Sequence, residues 1–219
     1  MRTLPLVLLV SLPAVAAAQS ADREGTWEAG IKVMDMSHEF ITGQQGSSLD
    51  IEGELGWGFF AAYNLNEHFQ IGGEIAWSDP DYLATFPLDV VPGGGNTVVT
   101  ADAELDIWFT QFKAVFNLLD KSFTPFAEVG YGWTSVDSNI QDGAADTGCW
   151  WDPWWGYMCA SFYDTYSNTV TSLTYALGLR WDLSDTSVVK ATYGIRDTDL
   201  DRSENLKQDM YSIDFAWKF

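Results

Sequence analysis

The segment Cys149-Trp-Trp-Asp-Pro-Trp-Trp-Gly-Tyr-Met-Cys159 concentrates the reactive and adhesive side chains of this chain. Its cysteines are the whole thiol complement. In an exported chain, a pair ten positions apart suits one local disulfide better than two free thiols. Closing that ring restricts the unfolded chain by roughly 3 kcal/mol on the entropy model. Within it Trp150, Trp151, Trp154, Trp155 and Tyr157 offer large apolar area at small entropic cost. Two readings stand side by side: an exposed patch for adhesion or partner contact, or rings folded back to cap the structure beneath or dip into lipid.

Catalytic chemistry is poorly supplied. The two histidines are His38, beside Glu39, and His68, in a short turn, and both read as solvated loop residues rather than bases. Asp197, Asp199 and Asp201 have the spacing of a calcium loop, but Arg202 stands where that turn needs glycine and no glutamate follows at the twelfth position. Loose divalent-cation binding is open to these acids and to Asp102, Glu104 and Asp106, where it could bridge to lipid phosphates. No enzyme, cofactor or dedicated metal site is expected.

The elements that carry these residues begin with an address. Arg2, the apolar run Leu4–Val15 and the small residues Ala16, Ala17 and Ala18 fit a cleaved signal peptide over residues 1–18. About 12 apolar residues make only some 18 Å of helix, too short for a membrane span. Residues 19–219 are expected to form one domain and hold 10 bases against 31 acids, a formal charge of −21. Such a surface repels nucleic acid, and where the acids fall decides how it meets anionic lipid.

Beyond the signal no segment is apolar enough for a helical span, whereas period-two alternation runs through the chain. Tyr211, Ile213, Phe215, Trp217 and Phe219 share one face of the last strand, while Ser212, Asp214, Ala216 and Lys218 share the other. Leu49, Ile51, Leu55, Trp57, Phe59, Ala61 and Tyr63 similarly oppose Asp50, Glu52, Glu54, Gly56 and Gly58. Seven strands follow this rule. An eighth, within Val98–Leu118, changes phase between Leu105, Ile107, Phe109 and Phe112, Ala114, Phe116, which predicts a bulge near Thr110.

Short connections (64–68, 119–122, 182–187) alternate with long ones (79–97, 137–168), the signature of a transmembrane barrel. A soluble sandwich or lipocalin also alternates, but turns its apolar face inward. Here the polar face carries the glycines, as a crowded eight-strand interior requires, and the aromatics cluster at strand ends as interfacial belts. The expected fold is therefore all-β, an eight-stranded antiparallel transmembrane up-and-down barrel. Its interior is expected to hold Glu28, Lys32, Glu52, Glu54, Glu74, Lys113, Glu128, Arg180, Asp182, Lys190, Arg196, Asp214 and Lys218, paired into a plug. A narrow cation-preferring pore is the alternative.

The C-terminal strand ending in Phe219, the segment Phe123-Thr-Pro-Phe-Ala-Glu-Val-Gly-Tyr-Gly-Trp and Tyr175-Ala-Leu-Gly-Leu-Arg-Trp-Asp-Leu resemble those of OmpA-like and OmpX-like small outer-membrane barrels. The resemblance covers essentially all of residues 19–219 and implies an outer-membrane location, with lipid and lipopolysaccharide as neighbours. It also implies that Tyr211, Ile213, Phe215, Trp217 and Phe219 serve as the signal to the barrel-assembly machinery. No peptidoglycan-binding domain follows the barrel, so no wall tethering is expected. Lipid A deacylases of related families use a serine, a lipid-facing histidine and an acid, and neither His38 nor His68 has a serine at that spacing. The expected function is structural or adhesive, with a host or cell-surface partner at the aromatic loop. The alternatives are a narrow channel for small or hydrophobic solutes like the OmpW family and, further off, an exported lipocalin-like binder.

Overall fold

The computed structural model describes residues 22–42, 47–88, 97–152, 154, 156–199 and 205–219. The signal-peptide expectation over 1–18 lies outside these residues. Among the described residues eleven strands form: β1 (Trp27–Met36), β2 (Glu39–Thr42), β3 (Ser48–Ile51), β4 (Leu55–Asn64), β5 (Phe69–Ser78), β6 (Asp81–Leu88), β7 (Thr97–Asn117), β8 (Phe123–Asp152), β9 (Gly156–Asp182), β10 (Ser187–Thr198) and β11 (Leu206–Lys218). Eight of them, β1, β4, β5 and β7–β11, close into an antiparallel barrel in the ring order β1-β4-β5-β7-β8-β9-β10-β11. The first and last strands seal it, from Glu28 opposite Lys218 to Met36 opposite Met210. Closure leaves no ladder edge facing hydrocarbon, the condition for a sheet to cross a membrane.

The other three strands stand outside the lumen as a side sheet, β2-β3-β6, attached to the long-loop end of β7. The run from Leu49 to Tyr63 is thus two strands and not one. The chain breaks at Glu52–Glu54, where Glu52 N–H donates to the Asp81 carbonyl and Met36 N–H to the Glu54 carbonyl. Gly53 permits the break, because a β-carbon there would stand 2.9 Å from the Met36 carbonyl oxygen. Glu52 and Glu54 are exposed outside the barrel, which corrects their assignment to the interior. Ile51 is buried, not lipid-facing.

The bulge expected near Thr110 is absent as well. Pairing of β7 with β5 and with β8 runs without a register shift through this region, and odd positions from Ala103 to Asn117 are buried while even ones are exposed. Leu105, Ile107 and Phe109 therefore point inward, and the apparent change of phase marks a change in what fills the lumen.

Glycine makes room where large inner side chains lie flat on the wall. Phe126 is opposite Gly178, and a β-carbon on that glycine would fall 2.4 Å from the Phe126 ring, so the ring covers the bare backbone. The outer face is a band of exposed Ile, Val, Leu and aromatic side chains. Trp57, Trp77 and Trp108 sit side by side on β4, β5 and β7, with ring centroids 4.7 and 5.2 Å apart, near the long-loop end. At the short-turn end Trp27 packs on Tyr63 at 5.1 Å and Phe69 on Phe116 at 4.9 Å. These are two interfacial belts with an apolar band between them.

Candidate functional site

Inside the barrel the short-turn half is ionic and the long-loop half apolar. Glu28 accepts from Arg180 at 2.6 Å, Lys190 at 3.0 Å and Asn64 at 2.9 Å. Glu74 accepts from Lys32 at 2.5 Å, Lys113 at 2.9 Å and Gln111 at 3.2 Å. Lys113 also lies 3.5 Å from Glu128, Lys32 is 4.0 Å from Asp214, and Asp182 holds both Arg180 and Lys218. All of these charged side chains are buried. Desolvating each charge costs several kcal/mol, and shared carboxylates offset that cost by giving nearly every cation a short contact.

Arg23, which sequence reasoning missed, closes the short-turn mouth. Its guanidinium is fully buried and donates to the Asp182 carboxylate at 2.7 Å, to the Glu67 and Leu119 carbonyls at 3.1 Å each, and to the Lys121 carbonyl. One side chain thereby ties together all three short turns. It precedes the first strand, so no alternation marks it. Asn64, Gln70 and Gln111, neutral members of the same network, do share the inward phase and could have been found by it.

Above the ionic half lies an apolar plug of Met34, Met36, Leu105, Ile107, Phe109 and Met210, continued by Ile51 and Tyr82 toward the side sheet. Arg196 separates the two halves, its guanidinium carbon 3.6 Å from the centre of the Phe109 ring.

Beyond the mouth, β8 and β9 continue as a two-stranded ribbon. β8 loses β7 at Ser138 and β9 loses β10 at Ser172, after which they pair with each other up to Asp152 opposite Gly156. The 30 residues of β8 measure about 100 Å at ~3.3 Å per residue, whereas a tilted membrane strand needs only about 10 residues. At the tip Trp151 is 72 % exposed, Trp154 83 % and Tyr157 71 %, so these rings do not fold back over the mouth. Cys149 and Cys159 are register partners. The side chain of Trp150 and all of Trp155 lie outside the described residues.

The remaining sequence candidates take ordinary places. His38 bonds the Asp50 carboxylate at the exposed base of the side sheet, and His68 bonds the Asn117 carbonyl at 2.8 Å. Asp197 accepts from Asn205 and lies 3.7 Å from Lys207, while Asp201 and Arg202 are outside the described residues. Asp102 and Glu104, with Asp50, Glu52 and Asp81, line an open cavity of about 400 Å³ in the side sheet. Among the described residues no group of three or more His, Cys, Asp or Glu is arranged to hold a metal ion.

Near that cavity, partial burial pushes the Asp79 carboxyl up, helped by the neighbouring Asp106 carboxylate, a hydrogen bond with it, and Glu54. A raised folded-state value means the fold favours the protonated form. The contribution is present below the ordinary aspartate range and is lost as pH rises through the raised value. The β5–β6 link is expected to become more protease-sensitive over that rise in the native protein but not in Asp79→Asn. Equal pH dependence in the two proteins would dissociate Asp79 from the effect.

The same architecture is met among known proteins. The model of the outer membrane protein beta-barrel domain matches residues 4–219. The chain belongs to this family. Outer membrane protein OprG of Pseudomonas aeruginosa is similar in structure, with a TM-score of 0.52 at 13 % identity over 91 % of this chain and 98 % of that one. Neisserial surface protein A gives 0.51 at 12 % identity, covering 90 % of this chain and 100 % of its own. Outer membrane protein AlkL gives 0.50 at 13 %, covering 93 % and 94 %. No curated protein matches in sequence. At these identities the likeness establishes the fold. This outer-membrane barrel meets lipid and lipopolysaccharide through the apolar band and its two belts.

Proposed function

We propose that this barrel is a non-enzymatic surface-interaction protein that anchors and presents the β8–β9 ribbon at the cell exterior. The carrying observation is the exposure of Trp151, Trp154 and Tyr157 at the far end of that ribbon, beyond the last barrel pairings of β8 at Ser138 and of β9 at Ser172. Exposed aromatics on a paired backbone form a pre-ordered hot spot. A disulfide between Cys149 and Cys159, which are register partners, would stiffen it further. Directly opposed residues of an antiparallel pair have α-carbons about 4.5–5.5 Å apart, within disulfide range.

The partner is a cationic macromolecule. Residues 137–168 contain Asp137, Asp142, Asp146, Asp152 and Asp164 and no Lys, Arg or His. The side sheet adds Asp50, Glu52, Asp81, Asp102 and Glu104. Such a face repels sulfated glycans and lipid phosphates, while tryptophan faces attract Lys and Arg through cation–π contacts. The filled lumen speaks against a solute channel, because the ion pairs and the methionine–phenylalanine plug occupy its cross-section.

Replacing Trp150, Trp151, Trp154 and Trp155 together by Ser is expected to reduce binding of whole cells to a cationic surface at least tenfold, with unchanged gel mobility of the barrel. A rise in salt should weaken the native interaction. Undiminished binding by the quadruple variant would remove the ribbon tip from the function.

A further inference from the structure

Arg196 is buried at 1 % exposure and, among the described residues, is the buried cation without a carboxylate in ion-pair contact. Among the described residues its Nε and Nη1 have no hydrogen-bond partner, and neither do the buried Gln111 Oε1 and Thr174 Oγ1. All three side chains line one cavity of about 20 Å³ at the junction of the ionic half and the apolar plug. Seven of the eight barrel strands contribute to its wall, so it spans the lumen at mid-height. The register brings its edges together: Thr174 faces Arg196 across β9 and β10, and Gln111 faces Glu74 across β7 and β5.

We infer that this cavity is a binding site for a single ordered water, which accepts from the two unpaired N–H groups of Arg196. The volume is enough for one water and little more. The orphan groups match water in number and sense: two guanidinium N–H groups need acceptors, the Gln111 carbonyl oxygen needs a donor, and the Thr174 hydroxyl takes either part. Charge also selects a neutral guest. Lys32, Lys113 and Arg196 balance Glu74, Glu128 and Asp214 in this part of the lumen. A halide would leave Gln111 Oε1 unpaired and lie against a wall that includes Glu74 and Glu128. Gln111 cannot turn its amide without giving up its donation to Glu74. Water therefore links Arg196 through the Gln111 amide to Glu74, which Arg196 does not touch, and Arg196, stacked on Phe109 of β7 from its root on β10, becomes a hydrated crossbar.

A high-resolution structure of the folded barrel from crystals soaked in bromide tests this. Density is expected within hydrogen-bond reach of Arg196 Nε and Gln111 Oε1, with no anomalous bromide peak. A bromide peak there would make the site an anion site, and Arg196 bonded directly to Glu74 or Glu128 without intervening density would abolish it. Arg196→Met, which removes both donors, should lose the density, and retained full occupancy overturns the assignment. If that variant does not fold, the native bromide experiment still decides.

Discussion

Glu74→Ala is expected to cost the barrel about 3–5 kcal/mol, the range for removing one partner of a buried ion pair. Lys32 on β1 and Lys113 on β7 both donate to this carboxylate from either side of β5, and Gln111 donates to it as well. Without it Lys32 keeps Asp214 at 4.0 Å and Lys113 keeps Glu128 at 3.5 Å, while two ammonium groups face each other in a sealed interior. The temperature at which SDS releases the compact gel form, and the urea midpoint in detergent, should both fall sharply. Glu74→Gln retains the shape and one acceptor and should fall between the variant and the native protein. An unchanged midpoint in Glu74→Ala would mean that enough water enters the lumen to replace a buried carboxylate.

Arg23→Ala is the second large effect. Arg23 is fully buried, and its loss leaves three carbonyls, those of Glu67, Leu119 and Lys121, without their shared donor and removes one cation from Asp182. The backbone N–H of Arg23 remains free to bond the Glu67 carboxylate, so the variant isolates the guanidinium. A loss of about 3–5 kcal/mol is expected, and Arg23→Lys should recover only part of it because an ammonium lacks the planar fork that reaches three turns. The contrast is Lys218→Met, which removes one contact at 3.2 Å to an aspartate that keeps Arg23 and Arg180. If the two losses were equal, the clasp would add nothing beyond a single ion pair.

The alternation of polar and apolar residues was enough to place most inner charges, because side-chain direction in a paired strand is a matter of parity. It misled where the fold broke the parity argument. Glu52 and Glu54 continue the phase of β4, yet β3 turns away to pair with β6, a tertiary choice marked only by Gly53. Leu105, Ile107 and Phe109 looked like a change of register because the interior was assumed polar throughout. The lumen instead becomes apolar toward the long loops. Arg23 had no periodic signal, since its role arises only from the convergence of three turns distant in sequence. The length of the β8–β9 ribbon was equally hidden, because polar residues over 137–168 read as a loop while their cross-strand pairing makes them a sheet.

The segregation of charge gives the molecule an unusual relation to proteolysis. Arg23, Lys32, Lys113, Arg180, Lys190, Arg196 and Lys218 are all sealed inside the barrel. Toward the long loops the sequence offers only Arg202 and Lys207. An enzyme that cleaves after Lys or Arg therefore finds no site on the β8–β9 ribbon over residues 137–168, which resists trypsin-like proteases by composition and without a chemical shield.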